Sequence, residues 1–96
     1  MTIYEKMHAI VAYYSNTVLP YINEQVAKVS TMTEQDKDDT TTDINNLMYP
    51  VENAYKDLLH LCNNNREINV VDAFKDEMLS LLIDDAYEIT ERYFTE

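Results

Sequence analysis

Glycine is missing altogether from this chain of 96 residues, and tryptophan with it. Without glycine, a turn that needs a positive φ must be built from asparagine or aspartate, which disfavours a hairpin-rich β fold. No apolar run is long enough to span a bilayer, and the N-terminal segment lacks the basic-then-apolar layout of a secretion signal, since Glu5 and Lys6 cancel. Cysteine occurs once, at Cys62. A lone thiol on an apolar stripe reads as a small buried hydrophobe in a reducing compartment, so a cytoplasmic protein is expected (host cytoplasm if phage-encoded). Positive charge is scarce: 7 Lys and Arg stand against 18 Asp and Glu, for a net charge of −11. Phosphate recognition rests on Lys and Arg, so neither nucleic acid nor an anionic membrane is expected as a direct ligand.

Catalytic patterns are also lacking. Glu5 with His8 and Asp57 with His60 both place a carboxylate three residues before a histidine, the spacing by which helix bundles hold two irons. On a helical wheel, however, Asp57 and His60 fall opposite the apolar stripe, Glu5 falls well off it, and only His8 flanks the core. Cys62 and His60 lie about 200° apart around a helix and cannot pair as nucleophile and base. With no glycine there is no phosphate-cradling loop either. The expectation is a non-enzyme with no metal and no cofactor.

What the chain does contain is helical periodicity, in a composition that is 46% apolar. Ile3, Met7, Ile10, Tyr14, Val18 and Tyr21 form a stripe, widened by Val11 and Ile22, that predicts a first helix over about 3–29. Residues 30–43, STMTEQDKDDTTTD, read as an acidic linker in which Thr33 and Asp36 have the spacing to cap a short helical turn. Ile44, Met48, Val51, Tyr55, Leu58 and Cys62 predict a second helix over about 44–62, ending in three asparagines suited to a left-handed cap. Asn69 followed by Asp72 suggests the start of a third helix, about 70–94. Pro20 and Pro50 each follow an asparagine by four residues. Either proline could open a new helix or kink a continuous one, and the unbroken phase through Pro50 favours kinking. The expected fold is all-α: an antiparallel three-helix bundle with proline-kinked helices 1 and 2 and a long C-terminal helix, in a single domain spanning 1–96.

Helix 3 carries two adjacent stripes. Val71, Phe74, Met78, Leu82, Ile89 and Tyr93 make one, and Leu79, Ile83, Tyr87 and Phe94 make the other. An arc that wide suits either a central helix packed on both sides or a homodimer formed through helix 3.

The charge is local. Residues 68–96 hold eight acids against two bases, and residues 30–43 hold five against one. Asp76, Glu77, Asp84, Glu88 and Glu91 cluster opposite the core, several of them near the negative end of the helix, where carboxylates are unfavourable. Ion pairs are expected for Glu24–Lys28, Glu52–Lys56, Asp72–Lys75 and Glu88–Arg92. Asp85 falls on the apolar side and is expected to find a tyrosine hydroxyl or a base.

The candidate partner-binding set is therefore Asp76, Glu77, Asp84, Glu88 and Glu91, with Asp36, Asp38 and Asp39 of the linker and Tyr13, which lies outside the core stripe. Rows of carboxylates can occupy a groove built for phosphates. The small, acidic, helical, glycine-free profile is similar in kind to phage- or mobile-element-encoded DNA mimics of the anti-restriction and anti-CRISPR type. It implies an inhibitor that blocks the basic groove of a nucleic-acid-binding protein. The alternatives are a self-associating assembly module and an immunity-type protein that neutralises a basic toxin.

Overall fold

The computed structural model describes residues 1–95, and the chain is all-α, with no strand among them. In order, the elements are α1 (Ile3–Tyr13), a π turn (Tyr14–Val18), α2 (Leu19–Lys28), a 3-10 turn (Val29–Thr31), α3 (Glu34–Leu61), α4 (Asn65–Phe74), a second π turn (Lys75–Leu79) and α5 (Ser80–Phe94). They join into three rods: α1 with α2, α3 alone, and α4 with α5. No helix among the described residues is long and apolar enough to cross a membrane.

Side-chain caps set the helix starts. The Thr2 hydroxyl accepts from the Glu5 N–H and the Glu5 carboxylate accepts from the Thr2 N–H, each at 3.2 Å. Thr33 and Asp36 form the same reciprocal pair at 3.1 Å. This second box opens a helix of 28 residues, so the expected linker at 30–43 is corrected to a short connection at 29–33. The polar residues 34–43 continue the helix that this box opens, and several of their side-chain donors are met within it. Thr41 and Thr42 donate to the carbonyls of Lys37 and Asp38, and Gln35 donates to Asp39. Thr40 turns inward and is buried.

The third helix also starts earlier than expected, with Asn64 rather than Asn69 as its cap: the Asn64 side chain accepts from the Glu67 N–H at 2.9 Å. None of the three asparagines takes a left-handed conformation, since no described residue has a positive φ; the chain leaves α3 in extended geometry at Cys62.

The core of α3 is the stripe read from sequence, with Ile44, Met48, Val51 and Leu58 at 1% exposure or less and Ala54 added. Pro50 lies inside the helix without ending it. It and Asn46, whose carbonyl loses its donor, are both exposed, so the missing bond faces water.

The other rods depart from a uniform period at their π turns. A π turn inserts one residue, which withdraws about 100° of rotation relative to an uninterrupted α-helix. In the first rod the extra residue moves the core from the expected Tyr21 to Ile22, which is fully buried, while Tyr21 becomes an edge residue. In the third rod Val71 and Leu79 are eight residues apart and would diverge by about 80° in a regular helix; the inserted residue brings them within about 20°. Val71, Leu79, Ala86, Thr90 and Phe94 are the buried residues of this rod. The fully buried line is thus a single one whose phase changes once. It is flanked on both sides by Phe74, Leu82, Ile83 and Ile89, which are half-buried against the core, so the wide arc is that of a helix packed on two neighbours. Met78 and Tyr93, from the first expected stripe, are left 39% and 38% exposed.

Tyrosine hydroxyls staple the rods. Tyr13 donates to the Leu47 carbonyl at 2.7 Å and Tyr21 to Asp43 at 3.2 Å, joining the first and second rods. Tyr55 donates to Asp72 at 2.6 Å and Tyr87 to Glu52, joining the second and third. Tyr14 donates to Asp85 at 3.0 Å, joining the first and third. In a chain with so few bases, phenols supply donors to the carboxylates at the seams between rods.

Candidate recognition surface

The third rod sorts its acids by side. Asp72, half-buried at the seam with α3, is held by Tyr55; burial and this hydrogen bond to a carboxylate both push the Tyr55 phenol up, the hydrogen bond more strongly. Asp85 stands at the seam with the first rod and finds a tyrosine hydroxyl, as its wheel position requires. It is nonetheless exposed, so the dry apolar setting expected for it is corrected. Burial first, then the Asp85 contact, holds the Tyr14 phenol well above its ordinary range.

Asp76, Glu77, Asp84, Glu88 and Glu91 are all exposed, on the side away from Leu79, Ala86 and Phe94. None of them forms an ion pair with a described residue. Of the four pairs expected along the helices, only Glu24–Lys28 is made, at 3.1 Å. The other three are corrected. Glu52 takes the Tyr87 hydroxyl and Asp72 the Tyr55 hydroxyl instead. Lys75 stacks 5.0 Å from the Tyr55 ring centre, and Arg92 stacks 5.5 Å from that of Tyr93. Neither Lys75 nor Arg92 pairs with a carboxylate of this face.

The remaining candidates separate. Asp36, Asp38 and Asp39 are exposed, but they stand on the first turns of α3 rather than on a linker, and Asp36 is committed to the Thr33 cap. Asp38 lines a polar cleft in which Glu34 and Lys37 face Arg92 to Thr95, so the start of α3 and the end of α5 share one end of the molecule. Asp36 and Asp39 instead line another cleft with Tyr21 and Lys28 of α2. Tyr13 is half-buried and spends its hydroxyl on Leu47, which corrects its assignment as an exposed partner contact. It lines a small apolar pocket of about 240 Å³ with Lys6, Ala9, Ile10, Pro50 and Val51. The tyrosines that do face solvent are Tyr4, Tyr49 and Tyr93.

His8, Asp57 and His60 are exposed, so His8 does not flank the core, and Glu5 is committed to the first cap. Among the described residues no group of three His, Cys, Asp or Glu side chains is placed to hold a metal ion. Cys62 is half-buried with its thiol toward the Leu58 carbonyl at 3.3 Å; burial, then Glu67 and Asp72, pushes that thiol up, away from the reactive thiolate.

Comparison with protein-family models, curated proteins and solved structures finds no match for this chain.

Proposed function

We propose that this chain is a small acidic inhibitor that occupies the basic groove of a nucleic-acid-binding protein with the acidic face of its third rod. The observation that carries the reading is the exposure of Asp76, Glu77, Asp84, Glu88 and Glu91 on one side of one rod, with no ion pair to any described base. Such a surface offers a basic groove what a phosphate backbone offers it, and the groove releases its own counterions on binding. Two residues of the set, Asp38 and Asp39, extend the negative surface at the start of α3. No catalytic step is assigned to the chain, and its place of action on this reading is the cytoplasm of the cell that holds the target.

The frame that presents this face is, on our reading, an antiparallel three-helix bundle. Lys6 lies 4.0 Å from Asp57 while Tyr21 bonds Asp43, the order expected for opposed first and second rods. Bends at Pro20 and Pro50 belong to the same reading.

The test is affinity capture from the source cell with the wild-type chain and with the variant Asp84→Lys/Glu88→Lys/Glu91→Lys. The expected result is a basic nucleic-acid-handling protein retained by the first and lost by the second, with binding that weakens steeply as salt is added. A triple variant that retains the same protein overturns the reading.

A further inference from the structure

The acidic face is not purely acidic. Leu81 is 61% exposed, more than any other leucine, isoleucine or methionine within a helix. Its helical neighbours one turn away on either side are Glu77, Met78, Asp84 and Asp85, with Glu88 two turns on. Met78 is itself 39% exposed, while Leu82 and Ile89 are half-buried against the core. The π turn at Lys75–Leu79 produces this arrangement, because realigning Leu79 with Val71 rotates Met78 and Leu81 out of the core. An exposed apolar strip of about one turn, made by Met78 and Leu81, therefore runs beside Glu77, Asp84, Asp85 and Glu88.

A groove that reads only phosphate has no use for an exposed leucine at the centre of its ligand. We propose that the element this face grips is a basic amphipathic helix of the partner protein, its apolar side on Leu81 and Met78 and its Lys or Arg side chains on Glu77, Asp84 and Glu88. This rests on the reading of the acidic face given above and names what that face binds. Charge complementarity selects the occupant. A second copy of this chain would bring eight acids and two bases of residues 68–96 against the same set, whereas a cationic helix satisfies strip and rim together.

The probes are two synthetic peptides of about 18 residues and equal positive charge, one a Lys/Leu amphipathic helix and the other Lys/Ser without an apolar side. Binding is measured by calorimetry on the full chain. The amphipathic peptide should bind about tenfold tighter or better, the worth of one buried leucine. Leu81→Ser should remove that advantage and leave Lys/Ser binding unchanged, while Leu59→Ser, on α3, should alter neither. Asp84→Asn/Glu88→Gln should weaken both peptides.

Equal binding of the two peptides, or a Leu81→Ser variant that keeps the advantage, overturns the anchor and leaves the acidic face standing. If neither peptide binds, or if Asp84→Asn/Glu88→Gln changes nothing, the acidic-face reading itself fails. A concentration-dependent dimer in light scattering that Leu81→Ser abolishes gives the strip to a second copy, and overturns the proposal as well.

Discussion

α3 and the third rod meet the same problem, a buried stripe that must stay on one side over about five turns or more, and they meet it in opposite ways. α3 has a proline near its centre and remains in phase, because Pro50 and Asn46 are exposed and the interrupted bond lies on the solvent side. The third rod has no proline and nevertheless leaves α geometry at Lys75–Leu79, because Val71 and Leu79 are spaced one residue too far apart to share a face otherwise. A backbone defect on the wet side is tolerated in place; a mismatch on the core side is absorbed by the backbone. The Ser80 hydroxyl, which donates to the Lys75 carbonyl at 3.0 Å, supports that excursion.

Single-residue deletions should separate the two cases most sharply. Removing exposed Asn45 from α3 rotates Met48, Val51, Ala54 and Leu58 by about 100° relative to Ile44. Losing several buried side chains at about 1.5–3 kcal/mol each exceeds what a small domain can spare. Thermal unfolding by circular dichroism should lose its cooperative transition. Removing exposed Glu77 instead leaves Val71 and Leu79 seven residues apart, which a regular helix aligns within about 20°, so the third rod should become α-helical throughout. Its melting transition should stay cooperative, near that of the wild type. Two equally ruinous deletions would show that the π turn does not serve the core phase.

Residues on either side of this comparison also mark what sequence could reveal. The core of α3 was legible because one period holds from Ile44 to Leu58. A wheel with a fixed step cannot register an inserted residue, so it ranks Tyr21 above Ile22 in the first rod and groups Val71 with Met78 rather than with Leu79 in the third. The start of α3 was legible only as a cap, Thr33 with Asp36; the ten polar residues that follow have linker composition, and their threonines close onto the backbone in a way composition does not reveal. On the candidate surface, Asp76, Glu77, Asp84, Glu88 and Glu91 were legible as exposed. Leu81 was missed since it belonged to neither stripe, and Tyr13 was misassigned because its partner is a backbone carbonyl 34 residues away. The available signal was compositional: with 8 tyrosines beside 7 bases, phenols are the donors at hand for seam carboxylates.

The tyrosine staples make alkaline pH the next perturbation in size. Burial first, then the hydrogen bond to Glu52, pushes the Tyr87 phenol from 10.0 up to about 12, and Tyr14 and Tyr21 are also raised, with burial the larger cause in each. A phenol raised in the folded state contributes stability that is fully present below its unfolded value near 10 and is lost as pH climbs through its folded value. Stability should thus hold up to about pH 10 and fall between there and 12, with phenolate absorbance rising alongside loss of helix. Tyr87→Phe should shift that alkaline midpoint upward. Phenolate that develops fully while the helix signal is unchanged would mean that the staples are not coupled to folding.

Replacing the proline of α3 should have a smaller and opposite effect. Pro50→Ala restores a donor to Asn46 and a better helix former, offset by the greater freedom of the unfolded chain and by the fact that the restored bond faces water. A gain of about 1–2 kcal/mol in urea unfolding is expected, with the core unchanged. Because the bond lies on the wet side, the new amide at position 50 should exchange faster than that of buried Val51. Destabilisation would show that α3 needs the proline, and would place it among the features that hold the rods together.

The smallest effect concerns the Tyr14–Asp85 bond, which ties the first rod to the third. Tyr14 is 3% exposed and Asp85 is exposed, so the two ends of this bond have unequal alternatives. In Tyr14→Phe the carboxylate turns to water, and the cost should be a few tenths to about 1 kcal/mol. In Asp85→Leu the hydroxyl is left at a seam covered by an added apolar side chain, and the cost should be somewhat larger, about 1–2 kcal/mol before the gain from apolar cover is counted. The double variant Tyr14→Phe/Asp85→Leu removes donor and acceptor together, and its urea midpoint should recover to near that of Tyr14→Phe alone. A single Asp85→Leu more stable than the wild type would instead show that water reaches the Tyr14 hydroxyl freely, and that the first and third rods are joined by their apolar contacts without help from this bond.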